Sequence, residues 1–301
     1  MRRSSIVATV VALTTVVSMA GAVATPPTGD LKYEDFARAQ VVEGATVPIT
    51  ANTTLVRGEY SIAPGGGTGW RRLPGTMVLA VTKGKLTLQG GEGCATKDYS
   101  NGQAAVVPKG VYQVRDTGKD PLEFFGLFFE QAAGAPKPLA EGPTEAAPAD
   151  CTGVMAAGVV PSGVSLAGSA AAPFVSSFYS HGAALEIKAG QDVFATHYDA
   201  APGWSSGWFA HRPAVNIMEA GELSYVEAKG GKCDESEVYH AGEAFYHPAH
   251  RHMAVNEGKE HTILTTIYFD VPHDTPLPGP GNQLAAADFS QAPPADCPRL
   301  R

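Results

Sequence analysis

The sequence predicts an all-β protein built from two tandem copies of one barrel or sandwich domain. Glycine and proline are frequent, at 34 and 23 of 301 residues, and only 17% of residues are charged. Short runs of β-branched and aromatic residues alternate with turn residues, and few stretches have the period of a helix. The second half of the chain also repeats the first. Together these observations favour β structure over a helical or α/β fold.

The first 24 residues have the pattern of a secretory signal. Arg2 and Arg3 precede an apolar run over 6–17, and small residues follow up to Ala24. This order of basic, apolar and small residues predicts cleavage after Ala24 and export from the cytoplasm. No later segment is long and apolar enough to span a bilayer, so we expect no membrane association after cleavage. The formal net charge of −8 provides no basic surface for nucleic acid.

Five sequence matches in one order define the repeat, and the first four are spaced by about 140 residues. The matching pairs are TGWRRLPG (68–75) with SGWFAHRP (206–213), AVTKGKLTL (80–88) with IMEAGELSYV (217–226), GEGC (91–94) with GGKC (230–233), NGQAAVVPKG (101–110) with AGEAFYHPAH (241–250), and APADC (147–151) with PPADC (293–297). The resulting division is a signal at 1–24, an N-terminal segment at 25–47, a first barrel at 48–131, a linker at 132–172, and a second barrel with its tail at 173–301.

Alternation and turn signals predict the elements of each copy. Ahead of the first copy, the segment YEDFARAQ, Tyr33–Gln40, is the one candidate helix. Hairpins are expected to turn at Lys83-Gly84 and at Ala220-Gly221, because glycine accepts the left-handed backbone of a tight turn. The predicted strands are 54–62, the hairpin 77–89 and 122–130 in the first copy, and 192–198, the hairpin over 217–226 and 262–269 in the second.

Four cysteines in an exported protein predict disulfide bonds. The repeat selects Cys94–Cys151 and Cys233–Cys297 among the three pairings, because equivalent positions in equivalent folds should form equivalent bonds. Each bond would close a loop of roughly 60 residues and stabilise the fold by about 3–4 kcal/mol. Free thiols or a four-thiolate metal site are the alternatives, and the lack of a C-x-x-C spacing disfavours the metal site.

The second copy keeps the glycines, proline, histidine and asparagine of two spaced motifs: Gly207, Gly221, Gly242, Pro248, His252 and Asn256. These motifs resemble those of the cupin superfamily, and the chain resembles a secreted bicupin. The resemblance implies two tandem cupin-like β-barrels of jelly-roll type. His252 lies one residue closer to Pro248 than the family pattern has it.

Both copies depart from the cupin pattern at the positions that hold a metal in that family. In the second copy the paired histidine positions are Phe209 and His211, and the glutamate position is Ala214. The first copy is degenerate, with other residues at all of these positions: Arg71, Leu73 and Met77, and Tyr112 and Asp116 in the second motif. All nine histidines follow residue 180. The resemblance therefore implies a site in the second barrel and none in the first.

His250 and His252 are two residues apart, so on a strand both point to one side. The cupin resemblance brings His211 onto a neighbouring strand. These three imidazoles are the predicted metal ligands, with His197 as a further candidate, and the metals considered are zinc, manganese, iron and nickel. Three residues are candidates for the lining of a ligand pocket: Trp204, Phe209 and Asn256. The remaining histidines are predicted to lie on the surface or in turns: His181, His240, His247, His261 and His273.

Three functions are open on this basis. The leading one is a secreted cupin-domain protein that binds a small molecule or a divalent metal in the second barrel. A metal-dependent cupin enzyme, such as an oxygenase, isomerase or lyase, is the first alternative, and a non-catalytic scaffold or cell-surface protein is the second. The expected partner is a small molecule, and the protein either forms a homo-oligomer or satisfies its pairing between the two copies. Hydrolase elbows, P-loops and dinucleotide motifs are absent from the sequence.

Overall fold

The computed structural model describes residues 27–134, 137–141, 144–151, 162–175, 183–229, 232–275 and 287–288. These residues form β-strands, turns and two short 3-10 turns, and no α-helix occurs among them. The predicted all-β fold is confirmed. The described part of the chain contains no helix long and apolar enough to cross a membrane.

The strands of the first half are β1 (Leu31–Val41), β2 (Ala45–Pro48), β3 (Thr54–Gly67), β4 (Arg71–Leu73), β5 (Met77–Lys83), β6 (Lys85–Gly90), β7 (Ala95–Ser100), β8 (Gln103–Val107), β9 (Gly110–Asp116), β10 (Leu122–Gln131) and β11 (Ser162–Pro173). The strands of the second half are β12 (Ala184–Ile187), β13 (Asp192–Ala200), β14 (Ser205–His211), β15 (Ala214–Ala220), β16 (Glu222–Lys229), β17 (Lys232–His240), β18 (Ala244–His247), β19 (Arg251–Val255), β20 (Thr262–Val271) and β21 (Ala287–Asp288).

Each copy consists of two layers with the same strand order. In the first copy one layer runs β8-β5-β10-β3-β11 and the other runs β7-β6-β9-β4. In the second copy the layers are β18-β15-β20-β13-β1 and β17-β16-β19-β14. Each strand of one copy has its counterpart at the same place in the other. The predicted duplication of an all-β barrel is therefore present in the topology.

Turns are present at both predicted glycines, but the hairpin predictions were wrong, because β5 does not pair with β6 and β15 does not pair with β16. Gly84 separates β5 from β6 and Gly221 separates β15 from β16, with φ of 78° and 73°. A side chain is strained in this left-handed conformation, which explains glycine at both turns. These turns connect the two layers of each barrel.

The segment Tyr33–Gln40 is strand β1, so the helix prediction was wrong. β1 pairs antiparallel with β13 from Leu31 to Gln40, and its end pairs in parallel with β8. Every second residue of its C-terminal half is buried, at Ala37, Ala39 and Val41, as expected for a strand with one face on a core. Pairing with a strand about 160 residues away overrides the local helical preference.

β1 and β11 tie the two copies together by a reciprocal exchange. β1 precedes the first copy but extends a sheet of the second, whereas β11 follows the first copy and pairs with β3. The end of each strand reaches the opposite barrel: Gln40 pairs with Gln103 of β8, and Phe174 bridges Ala244 of β18. β2 and β12 form a small separate sheet. The barrels are thus joined by backbone hydrogen bonds as well as by side chains.

One hydrophobic core lies between the barrels, and each barrel has an interior core of its own. The shared core contains buried residues from both copies, including Phe129 and Phe174, whose rings stack 6.3 Å apart. A partly buried ion pair also crosses between the copies, with Arg57 Nη2 2.8 Å from Glu219 Oε1. The expected packing of the first barrel against the second through apolar faces is therefore observed.

The disulfide Cys94–Cys151 is present. It ties the segment after the first copy back to the residues between β6 and β7. Cys297, His181 and the predicted signal at 1–24 lie outside the described residues, and the Cys233 side chain does as well. The bond Cys233–Cys297 stays a prediction.

Candidate metal centre

Four imidazoles converge at one end of the second barrel. His211 ends β14, His252 lies in β19, and His250 comes just before β19. His247 ends β18 in the opposite layer. One nitrogen of each ring lies within 4.8 Å of the corresponding nitrogens of the other three. The structure therefore brings together the three predicted ligands and adds His247 to them.

Strand register explains why these side chains meet. β14 pairs with β19 so that Phe209 is opposite His252, and the backbone amide of His211 donates to the His250 carbonyl at 3.3 Å. β18 pairs with β15, which places His247 opposite Ala214. The two-residue strand β21 pairs with β14 at His211 and forms the outer edge of this sheet beside the site.

Three of the four imidazoles are buried and held neutral. His247 and His252 are almost inaccessible to solvent, and His211 is 7% exposed. Burial lowers the pKa of His211 to about 3, with the neighbouring His250 lowering it further. Burial also lowers the pKa of His247 and of His252 well below the ordinary value, and the other imidazoles add to this effect. A neutral imidazole is the form that binds a metal.

Backbone carbonyls place a proton on Nδ1 of two rings. Nδ1 of His211 lies 2.5 Å from the Arg212 carbonyl oxygen, and Nδ1 of His250 lies 2.6 Å from that of Pro248. A carbonyl only accepts, so each Nδ1 carries a proton, and the neutral His211 ring has its lone pair on Nε2. Metal-binding histidines typically have this second hydrogen bond, which sets the ring orientation.

The residues present fit a divalent metal ion. Imidazole nitrogens suit zinc, iron, nickel and copper, and three or four of them are a sufficient ligand set. Nε2 of His252 is buried and has no hydrogen-bond partner among the described residues. Leaving a buried polar atom unpaired costs about 1–3 kcal/mol, which a bound ion would offset.

A carboxylate missed by the sequence analysis adjoins the imidazoles. Glu227 lies in β16 opposite His252, and its side chain is only 8% exposed. Its Oε1 is 3.0 Å from His250 Nε2 and 3.8 Å from His252 Nδ1. The cupin motif places its glutamate at Ala214, so the motif gave no indication of Glu227. Glu227 follows the buried Leu223 and Tyr225 at two-residue intervals, and this alternation could have revealed it.

His247 was predicted to be a surface or turn residue, and this was wrong. It shares the inward face of β18 with Phe245, which belongs to the interior core of the second barrel. The two-residue spacing in the sequence AFYH was the available signal. The other described histidines of that prediction are exposed, as expected: His240, His261 and His273.

His197 does not join the cluster of imidazoles. It lies on β13, with Nδ1 3.7 Å from Glu219 Oε1 and 3.4 Å from the Thr265 hydroxyl. Glu219 accepts from Arg57 and Thr265, so this group belongs to the contact between the barrels.

The three candidates for pocket lining have different environments. Phe209 presents its ring at 4.7 Å from that of His252, in an edge-to-face contact. Phe209 and Trp204 line an apolar cavity of about 30 Å³ inside the barrel. Asn256 is buried, donates to the carbonyls of Ala200 and Glu260, and accepts from the Gly258 amide. Asn256 therefore stabilises a turn.

The matching positions of the first barrel hold no imidazole and no carboxylate. Arg71 is opposite Tyr112 as Phe209 is opposite His252, and Gly90 is opposite Tyr112 as Glu227 is opposite His252. By this register the five site positions are occupied in the first barrel by Leu73, Val107, Gly110, Tyr112 and Gly90. The Tyr112 ring fills the space beside these glycines, since a Cβ at Gly110 would lie 2.8 Å from it.

No protein-family model matches the chain, and no curated protein matches it. Among solved structures, oxalate decarboxylase from Bacillus subtilis at pH 4.6 is similar over 81% of this chain and 77% of its own, with 15% identity and a TM-score of 0.34. AerE from Microcystis aeruginosa is similar over 76% of this chain and 97% of its own, with 13% identity and a TM-score of 0.29. At these identities and TM-scores the similarity supports neither an activity nor a ligand for this chain.

Proposed function

We propose that the second barrel binds one divalent transition-metal ion through His211, His247, His250 and His252. The observation that carries this proposal is the convergence of four imidazoles, three of them buried, with one nitrogen of each within 4.8 Å of those of the others. The lowered pKa values of His211, His247 and His252 keep the lone pairs of these rings available near neutral pH. Two Nδ1–H groups donating to backbone carbonyls orient the rings in the manner of metal ligands.

Packing alone is a weaker explanation of the cluster. Burying a polar ring is costly unless its nitrogens are satisfied, and the first barrel shows that the same positions can be filled by Leu73, Val107 and Tyr112 instead. Two copies of one fold thus differ in the residues that a metal needs. A second barrel that retains imidazoles there is better explained by a ligand for them.

A small organic ligand is less well supported than a metal ion. The cavity behind Phe209 and Trp204, about 30 Å³ in volume, has room for roughly one or two water molecules. Organic ligands occupy pockets of about 300–1,000 Å³. An ion bound by the imidazoles could supply Lewis-acid chemistry. Although the glutamate position of the motif is Ala214, the carboxylate of Glu227 lies beside the imidazoles. Metal-dependent catalysis is therefore the second candidate function.

The proposal also places the protein outside the cytoplasm. The N-terminal pattern of basic, apolar and small residues supports export. Cys94–Cys151 is consistent with an oxidising compartment, where such bonds persist.

Metal analysis of the purified protein tests the proposed site. We expect one equivalent of a transition metal after incubation with zinc, manganese, iron or nickel and removal of excess ion, measured by plasma mass spectrometry. His247→Ala should lower the affinity at least 100-fold, since one ligand is lost. His240→Ala and His261→Ala are matched controls, because both side chains are exposed, and should leave the affinity unchanged.

The contrary result is also specific. A wild-type protein that retains no metal and shows no rise in melting temperature with any of these ions would favour the scaffold function. Equal losses in the His247 variant and the two controls would place the metal elsewhere.

A further inference from the structure

We propose that Glu227 is a fifth metal ligand, which makes the centre one of mixed nitrogen and oxygen donors able to hold Mn²⁺. This inference rests on the proposed function, since it concerns the same ion. It assigns a ligand to β16, a strand that the sequence motifs do not include. The cupin motif places its carboxylate at Ala214, which lies on β15 before the turn at Gly221.

One oxygen of the carboxylate lies at a distance from the imidazole cluster that suits a shared ion. Glu227 Oε1 is 3.0 Å from His250 Nε2. Atoms that bind one ion at about 2.1 Å are roughly 3.0–3.5 Å from their neighbours. The carboxylate therefore already stands at a ligand-to-ligand distance from an imidazole of the cluster.

The burial of the carboxylate supports this assignment. Glu227 Oε1 lies at hydrogen-bond distance, 3.0 Å, from His250 Nε2, and the Glu227 side chain is only 8% exposed. Burying a carboxylate is costly unless a positive charge compensates it, and a metal ion bound by the imidazoles would supply that charge.

The first barrel provides an independent observation. Register places Gly90 at the position of Glu227, in the same copy in which all four imidazole positions have other residues. The carboxylate and the imidazoles therefore occur together in one barrel and are missing together in the other. A carboxylate that served only to stabilise the hairpin would have no reason to follow the imidazoles in this way.

The oxygen donor has a chemical consequence. Imidazole favours zinc, copper and nickel, whereas carboxylate favours harder ions such as manganese. Without Glu227 the centre would be an all-nitrogen site with a strong preference for the softer ions. With Glu227, Mn²⁺ gains a ligand that it binds well.

The test compares E227Q with wild type, using Mn²⁺ and Zn²⁺ as the two probes. E227Q keeps the shape of the side chain and removes its charge. We expect its Mn²⁺ affinity to fall at least 100-fold and its Zn²⁺ affinity to fall less than 10-fold, measured by competition with a chelator. The visible spectrum of the Co²⁺-loaded protein should also change, because it reports the coordination number. E222Q is the matched control on the same strand, since the Glu222 side chain is 44% exposed and pairs with His240.

The outcomes separate this inference from the proposed function. Equal losses of both ions with an unchanged Co²⁺ spectrum would show that Glu227 only orients His250, which overturns the inference and leaves the four-imidazole site intact. A wild-type protein that binds neither ion would overturn both. If E227Q does not fold, E227D carries the test: its shorter side chain should shift the Mn²⁺/Zn²⁺ preference, and an unchanged preference would contradict the inference.

Discussion

Burial lowers the pKa of three histidine side chains at the site. His211 is removed from water at the end of a barrel, and this desolvation lowers its pKa to about 3. The same cause acts on His247 and His252. The neighbouring imidazoles also disfavour a positive charge on each of these three rings, so all three resist protonation. This arrangement has a cost, because the folded protein must keep these three histidines uncharged.

This cost predicts the acid sensitivity of the metal-free protein. The unfolded chain protonates its histidines near pH 6.5, whereas the folded chain keeps His211, His247 and His252 neutral to much lower pH. Between about pH 6.5 and pH 3 the unfolded state therefore binds more protons, and stability falls as the pH falls. Each of these histidines should contribute about 1.4 kcal/mol per pH unit within that window.

His211→Leu isolates one of these contributions, because Leu73 occupies the equivalent position of the first barrel. We expect the variant to lose stability less steeply on acidification, by about 1.4 kcal/mol per pH unit. Urea unfolding of the metal-free proteins at several pH values measures the slope. An identical slope in both proteins would mean that His211 is protonated in the folded state.

The sequence alone predicted part of the arrangement of side chains at the site. His250 and His252 could be paired because side chains two apart on a strand share a face. His247 and Glu227 were missed because each comes from a strand that the cupin motif does not mark as ligand-bearing. Their position depends on the register between β15, β16, β18 and β19, which is set by pairing across the sheet and not by local sequence.

At the scale of single elements, two turns of the second barrel depend on glycine for different reasons. Gly221 has φ of 73°, and a Cβ there would lie 2.5 Å from the His261 carbonyl oxygen. Gly242 has a similar φ of 84°, but open space surrounds its Cβ position. The first glycine therefore avoids both strain and a clash, and the second avoids strain alone.

Alanine substitutions at these two glycines should differ in cost. Gly242→Ala places a side chain in the left-handed region, which costs about 1–2 kcal/mol. Gly221→Ala adds a collision with backbone that cannot move freely, so it should destabilise the protein by at least about 1 kcal/mol more. Chemical denaturation of both variants measures the difference. Equal costs would show that the β15–β16 turn can shift to relieve the contact.

β1 shows where element prediction from sequence fails. Its residues, Tyr33–Gln40, include several good helix formers and no turn signal, so local preference favoured a helix. The strand forms because β13 and β8 both offer it backbone partners. By contrast, the turns at Gly84 and Gly221 have local glycine signals and could be predicted, although the partners of the strands on either side could not.

The whole molecule is more than two barrels joined by a linker. β1 belongs by sequence to the N-terminal side and by pairing to the second barrel, and β11 belongs to the first barrel's sheet although it follows that barrel in the chain. Neither barrel can complete its larger sheet without a strand whose end also contacts the other. Both barrels contribute buried residues to the core between them, so each barrel covers an apolar face of the other. This arrangement could not be predicted from the repeat, which shows equivalence of the copies but not exchange between them.

A shared core and exchanged strands predict that the two barrels unfold together. Phe129 lies in β10 of the first copy and stacks on Phe174 within the shared core, so Phe129→Ala should cost about 3–5 kcal/mol. Trp70 reports on the first barrel, and Trp204 and Trp208 report on the second. In variants that retain only one set of tryptophans, Phe129→Ala should lower the denaturation midpoint equally for both sets. If the barrels were independent, the tryptophans of the second barrel would keep their original midpoint, and the exchanged strands would then contribute little to cooperativity.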